Sequence, residues 1–215
     1  MTPTHMTTPS HTGRMLDITL STLIACVLLA APTVHAYYTV QDTGELLSEK
    51  EKQVGGELQF ATTGNSGINL IGHFDMGFDK ESNLRFEAGT GVTTAVVGAF
   101  FKWVPFPDFE NQPAIGFSFG AHYARYEQAN EIAARFIPLA SKKFDTTKGL
   151  FTPYVALPVS MSNYDNTSFH PVQFVIGSRY KHPDFDTFDF NAELGFSVTD
   201  ADAHISIGAI FPAFE

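Results

Sequence analysis

The chain is short of cysteine, tryptophan and charge: of its 215 residues one is Cys, one is Trp, and 17% are charged. Each shortage excludes something. A single cysteine, Cys26, rules out an intramolecular disulfide and a multi-thiolate metal centre. Thirteen basic residues against 23 acidic ones, a net charge of −10, leave no basic patch of the kind nucleic acid requires. A charged share well under the usual ~25% leaves few charges to clothe a water-facing surface. The hydrophobic share, 44%, is ordinary and does not fit a bundle of membrane helices. What is plentiful is phenylalanine, 21 residues, and glycine, 17. The length suits one domain with a short extra segment.

Residues 1–36 read as a targeting segment. Met1 to Gly13 is rich in Thr, Pro and His, Arg14 adds a positive charge, and Ile18 to Ala31 is apolar over the length of a signal-peptide core. That stretch falls short of the ~20 residues of a spanning helix. Val34-His35-Ala36 offers a small-residue cleavage site, and Met15 is an alternative start. Leu23-Ile24-Ala25-Cys26 resembles a lipoprotein box, but the apolar run continues past it to Ala31, which favours cleavage after Ala36 over lipidation. Cleavage there removes Cys26. Residues 37–52 form a polar, acidic leader, expected on the periplasmic side, with a short helix expected over Glu45–Lys52; residues 53–215 form the main domain.

From residue 53 onward the pattern is alternation with period two, in runs of about ten residues parted by turn chemistry. Ile68, Leu70, Phe74, Met76 and Phe78 fall opposite Asn69, His73 and Asp75. After Asp79–Asn83, Leu84, Phe86 and Ala88 oppose Arg85 and Glu87. The same split recurs over 115–123, 151–162, 172–179, 188–197 and 203–211, and weakly over 56–63, 93–106 and 131–140. About ten antiparallel strands result, with eight the next count. The expected fold is all-β, an up-and-down barrel.

Face chemistry decides what surrounds such a barrel. A soluble sheet shows Lys, Glu and Thr on its polar face; here that face carries Gly, Ser, Asn, His and a few charges, a composition suited to a crowded interior. Lys50, Lys52, Lys80, Lys142, Lys143, Lys148 and Lys181 lie at run ends, whereas Arg85, Arg135 and Arg179 lie inside runs, where a planar fork suits carboxylate pairing away from water. The apolar face of every run then points into hydrocarbon. With its signal segment, cysteine-free remainder, alternating runs and terminal strand, the chain resembles the small Gram-negative outer-membrane β-barrels. Ser206, Gly208 and Phe211 are similar to the terminal signal read by the barrel-assembly machinery; Ala213, where an aromatic is usual, and the ending Phe214-Glu215 depart from it. The resemblance implies a multi-pass protein of the bacterial outer membrane, in contact with lipid and lipopolysaccharide.

The inward charges are expected to be Glu57, Asp75, Arg85, Glu87, Lys102, Arg135, Arg179, Asp189 and Glu193. A turn centred near 81 sets Asp75 opposite Glu87 and diagonal to Arg85; one centred near 184 or 185 sets Arg179 opposite Asp189 or Asn191. Pairing that plugs the lumen is favoured over a charged constriction in a narrow pore. His73, His122, His204 and Ser206 are expected as lumen polar groups. His204-x-Ser206 with Glu193 resembles the His-x-Ser pair of the outer-membrane lipid A deacylases, which would make His204 a base and Ser206 a nucleophile. A lipid hydrolase must, however, show its nucleophile to the bilayer, and Ile205 and Ile207 hold that face. No catalytic residue, metal or cofactor is expected: the histidines are dispersed, and only His73-x-Asp75 could set two ligands on one face. Phe101, Trp103, Tyr123, Tyr126, Tyr164, Tyr180 and Phe188 stand near run ends as an interfacial aromatic belt.

An even strand count puts both ends of the domain on the periplasmic side, with turns over Phe106–Pro113, Lys142–Gly149 and Lys181–Thr187 and short outer loops. The expected function is a small outer-membrane barrel that supports the envelope or slowly passes small polar solutes. A lipid-active enzyme is the second class. A secreted barrel with Phe74 and Phe190 inside, around an apolar ligand, is the third.

Overall fold

The computed structural model describes residues 39–63, 66–185 and 187–214. The expected signal segment, with Cys26 and the cleavage site, lies outside the described residues. Alternating side chains favour extended backbone because neighbours leave a sheet on opposite faces. Thirteen segments result: β1 (Lys52–Ala61), β2 (Gly67–Gly77), β3 (Ser82–Gly91), β4 (Ala95–Phe106), β5 (Ala114–Arg125), β6 (Asn130–Ser141), β7 (Phe144–Thr146), β8 (Gly149–Ala156), β9 (Val159–Tyr164), β10 (Thr167–Phe169), β11 (Val172–Lys181), β12 (Asp189–Thr199) and β13 (His204–Ile210). No helix long and apolar enough to cross a membrane occurs among the described residues.

These segments make a closed antiparallel barrel of ten staves, as the alternation predicts. β8 and β9 form one stave, interrupted where Pro158 has no N–H to give to the ladder. The register runs unbroken across it: Ala156 and Val159 oppose Leu139 and Phe136 of β6 on one side and Val175 and Val172 of β11 on the other. β7 and β10 extend the hairpins of β8 and β9. β1 closes the circle on β13, from Gly55 opposite Ile210 to Ala61 opposite His204. Closure leaves no sheet edge in the wall. The connections after β2, β4, β6 and β11 lie at one end with the start of β1, and those after β1, β3, β5, β9 and β12 at the other.

The faces follow the expected parity of the clear runs. Leu70, Phe86, Val97, Phe119, Ile132, Met161, Phe174 and Phe190 lie exposed on the outside, with Met161 at 70% and Ile132 at 63%. Glu57, His73, Asp75, Lys102, His122, Glu131, Arg135, Arg179, Glu193, His204 and Ser206 are buried inside. Glycines on the inner face make room for large neighbours across the ladder. A Cβ on Gly55 would meet the His73 ring at 2.2 Å, one on Gly177 the Tyr154 ring at 2.1 Å, and one on Gly195 the His204 ring at 2.2 Å.

Three expectations are corrected. The turn after β2 is centred near residue 80 and not 81, so Asp75 opposes Arg85 directly and Glu87 opposes His73. Residues 45–52 form no helix; Lys102 and Asn83 hold the backbone of Glu45 and Leu47, and only a turn near Glu49–Lys50 precedes β1. Tyr126 is buried inside, donating to Glu131 Oε2 at 3.0 Å, and Tyr164 packs on it with ring centroids 5.5 Å apart. A phenol that finds a buried carboxylate gains more there than at an interface. These two therefore close the loop end from within, while Phe101, Trp103, Tyr123, Tyr180 and Phe188 stay on or near the outer surface.

Arg85 holds Asp75 by two bonds, Nε to Oδ1 at 2.6 Å and Nη2 to Oδ2 at 3.0 Å. Removing one partner of a buried ion pair costs about 3–5 kcal/mol. Arg85→Ala is expected to lower the unfolding temperature markedly, with Arg85→Lys intermediate because it restores charge without the fork. Thermal unfolding in detergent, read by loss of β-sheet circular dichroism, checks this.

Candidate functional site in the barrel lumen

The lumen is filled from the chain's own leader. Val40, Gln41, Asp42 and Thr43 are buried among inner-face residues, so residues 39–47 run inside the barrel and not outside it as the sequence suggests. The leader's polarity is what misleads: in water it reads as an exposed tail, yet this lumen is polar and holds most of its backbone and charged groups.

Glu193 is the centre of the match. Its Oε1 accepts from the Val40 amide at 2.9 Å and its Oε2 from the Gln41 amide at 2.6 Å. Tyr154 donates to the same carboxylate at 2.7 Å, and His204 Nε2 lies 2.9 Å from it. Arg85 Nη1 donates to the Val40 carbonyl at 2.9 Å and Arg135 Nη2 to the Thr39 carbonyl at 3.2 Å. Lys102 Nζ binds Asp42 Oδ1 at 2.8 Å and the Thr43 and Glu45 carbonyls at 3.2 and 2.8 Å. The Gly44 amide donates to Ser141 Oγ at 2.9 Å. Glu45 is held by Arg179 at 2.9 Å and Lys143 at 2.7 Å. Val40 enters a small apolar pocket of Phe100, Ile137, Leu139, Tyr154, Ala156 and Val175, which explains why β6 is apolar on both faces.

The expected charges therefore meet in different pairs from those the ladder alone suggests. Arg179 opposes Asn191, one of the two expected partners, but its ion pair is with Glu45 of the leader. Asp189 sits half-buried at the mouth, in a chamber of about 230 Å³ that Asp42, Glu45, Lys102, Lys143, Arg179 and Lys181 also line. Glu57 accepts from the Thr39 hydroxyl. Glu87 shares a cavity with Thr39, Arg85 and Arg135. His73 Nδ1 lies 3.1 Å from Asp75 Oδ2, and no cluster of three or more metal-ligating side chains occurs among the described residues. Sequence reasoning missed Asp42, Glu45, Tyr154 and Glu131; the two acids of the leader were visible, but nothing local says that a tail turns inward.

Glu193 opposes Ser206 in the ladder, and the Glu193–His204 contact is present. The Ser206 hydroxyl, however, accepts from Gln41 Nε2 at 2.7 Å, and no hydrogen bond joins it to His204 among the described residues. Of the terminal set, Gly208 makes room for the leader, since a Cβ there would stand 2.5 Å from Gln41 Oε1. Phe211 is exposed outside, just past the end of β13.

No protein-family model matches the sequence, and no curated protein matches it either. A solved structure described under "De novo design of transmembrane beta-barrels" is similar over 79% of this chain and 100% of its own, at 10% identity and a TM-score of 0.38. At that distance the surroundings of this barrel have to be read from its own two faces.

Glu45 gives the leader a pH response. Burial alone would raise its pKa, but Arg179, Lys143 and Lys102 outweigh burial and hold it below the usual carboxylate value. A carboxylate depressed in the folded state stabilises fully above its unfolded pKa and less as pH falls through the folded one. Amide protons of Val40, Gln41 and Gly44 should stay protected from neutral pH down to about 4.3, the ordinary Glu value, and lose protection below it. Hydrogen exchange followed by mass spectrometry across that range checks this, and Glu45→Gln should reduce protection already at pH 7.

Proposed function

We propose that this chain is an integral barrel of the bacterial outer membrane that stands closed, with a structural role in the envelope. The observation that carries the reading is the inversion of its two faces. The outer wall bears Leu, Ile, Val, Met and Phe on every stave, while buried Arg, Lys, Glu, Asp and His pair in the middle. Moving one such large apolar side chain out of water is worth about 1.5–3 kcal/mol, so a wall of them is a poor surface for water and a good one for hydrocarbon. Staves of about ten residues, tilted as barrels require, span roughly the 25 Å apolar band of such a membrane. Trp103, Phe117, Tyr180, Phe188 and Phe211 gather toward the end that holds the start of β1, where an interfacial girdle would lie.

Closure has two parts. The leader fills one half of the lumen, and Ile71, Val96, Ala124 and Tyr126, with Tyr164, fill the other. The charged chamber at the mouth favours one further reading, slow passage of small polar solutes when both closures loosen. The soluble barrel around an apolar ligand would need Phe74 and Phe190 inside, whereas both belong to the outer set.

Heat-modifiable migration of detergent-extracted protein, together with nitroxide labels, tests the membrane reading. Labels at Phe86, Phe174 and Phe190 should be reached by oxygen more than by polar relaxants in lipid vesicles, and the reverse order would reject it. Phe190→Arg should hinder insertion by about 2–4 kcal/mol if it lies near the bilayer midplane. Refolded protein incubated with lipopolysaccharide should release no fatty acid by mass spectrometry. Acyl loss that vanishes in Ser206→Ala would install the enzymatic reading in its place.

A further inference from the structure

The leader is held as a ligand is held. Among the described residues no backbone-to-backbone hydrogen bond joins residues 40–47 to a stave; their backbone groups are met by side chains of the wall, namely Glu193, Arg85, Lys102, Ser141 and Asn83. The barrel is meanwhile complete without it, because β1 closes on β13 through its own ladder. Removing the leader breaks no sheet bond. It would uncover a blind pocket, since the apolar group around Ile71 and Tyr126 still stands beyond it.

The pocket also selects by sequence. It takes an apolar side chain at Val40, an acid at Asp42 between Lys102 and Arg85, and an acid at Glu45 between Arg179 and Lys143. It admits only glycine between the acids at 44, where a Cβ would meet Ala114 Cβ at 2.5 Å. We propose that the half of the lumen next to the start of β1 is a binding site for an extended peptide of pattern apolar-x-acid-x-Gly-acid. The leader occupies it in cis, and a partner segment of that chemistry binds when the leader is out. The proposal goes beyond the structural role above and concerns the lumen alone, so it stands or falls separately from the membrane reading.

The test uses the full chain. Asp42→Lys with Glu45→Lys sets cations against Lys102, Arg85, Arg179 and Lys143 and should expel the leader; Gly44→Val does so by bulk if the reversal variant does not fold. Heat-modifiable migration reports a closed barrel. Reaction of a Thr43→Cys reporter, in a chain carrying Cys26→Ser so that it is the one thiol, with a charged thiol reagent reports whether the leader is out. A fluorescent peptide of residues 39–48 is then titrated by anisotropy in detergent micelles. Saturable binding is expected to the expelled form and not to the wild type. The peptide with Asp42→Asn should bind about ten- to a hundredfold more weakly, the loss that one charge-assisted contact brings, and the peptide with Gly44→Val should bind more weakly still or not at all, because its side chain meets Ala114. Three outcomes overturn the proposal: Thr43→Cys stays unreactive in every folded variant; an open barrel binds no peptide; or a scrambled peptide binds equally well. Heat-modifiable, lipid-facing protein with any of those results would leave the membrane reading intact.

Discussion

One buried carboxylate joins the parts of this molecule. Glu193, on β12, takes two amides of the leader, the phenol of Tyr154 on β8 and the imidazole of His204 on β13. A carboxylate removed from water needs its lone pairs occupied, and four donors from three elements do that here. The constraint behind it is geometric. Ten staves enclose more room than the eight that side chains just fill, so a residual core must be supplied, and it must be polar because the inner face is polar. The leader is that supply.

The same constraint explains the sorting of cations. Arg85 reaches Asp75 with two nitrogens and the Val40 carbonyl with a third, a task the planar fork performs and an ammonium cannot. Lys102, the one inner lysine within the runs, instead sits where three acceptors converge on a single point, Asp42 and two leader carbonyls. Glycine follows the same logic: where the wall has none to spare, large rings such as Tyr154 and His204 would have nowhere to lie.

The wall was legible because its signal is periodic. Parity assigned Phe174 outward and Arg179 inward without knowledge of any partner, and stave count followed from the runs. Register was less legible, since moving the centre of the Asp79–Asn83 turn slightly exchanges Asp75's partner from Glu87 to Arg85. The leader was illegible in principle. Its place depends on contacts between residues as far apart in sequence as Gln41 and Ser206, and a polar segment carries no hydrophobic pattern to announce burial. Tyr126 failed for a related reason: position near a stave end suggests a belt, but the nearby acid Glu131 draws its hydroxyl inward.

The Glu193, His204 and Ser206 set shows how far resemblance reaches. The three residues do come together, as their spacing on neighbouring staves implies. Of the contacts inside the set, the one between Glu193 and His204 is made, at 2.9 Å, while the remaining bonds of Glu193 and the bond of Ser206 go to other residues. The serine binds Gln41, the glutamate binds the leader, and all three lie buried behind Ile205 and Ile207. Freeing the serine would mean withdrawing the leader, which would open it to the lumen and still not to the outer face, because parity fixes its side. In three dimensions the set anchors the leader, Glu193 by two backbone amides and Ser206 by the Gln41 side chain.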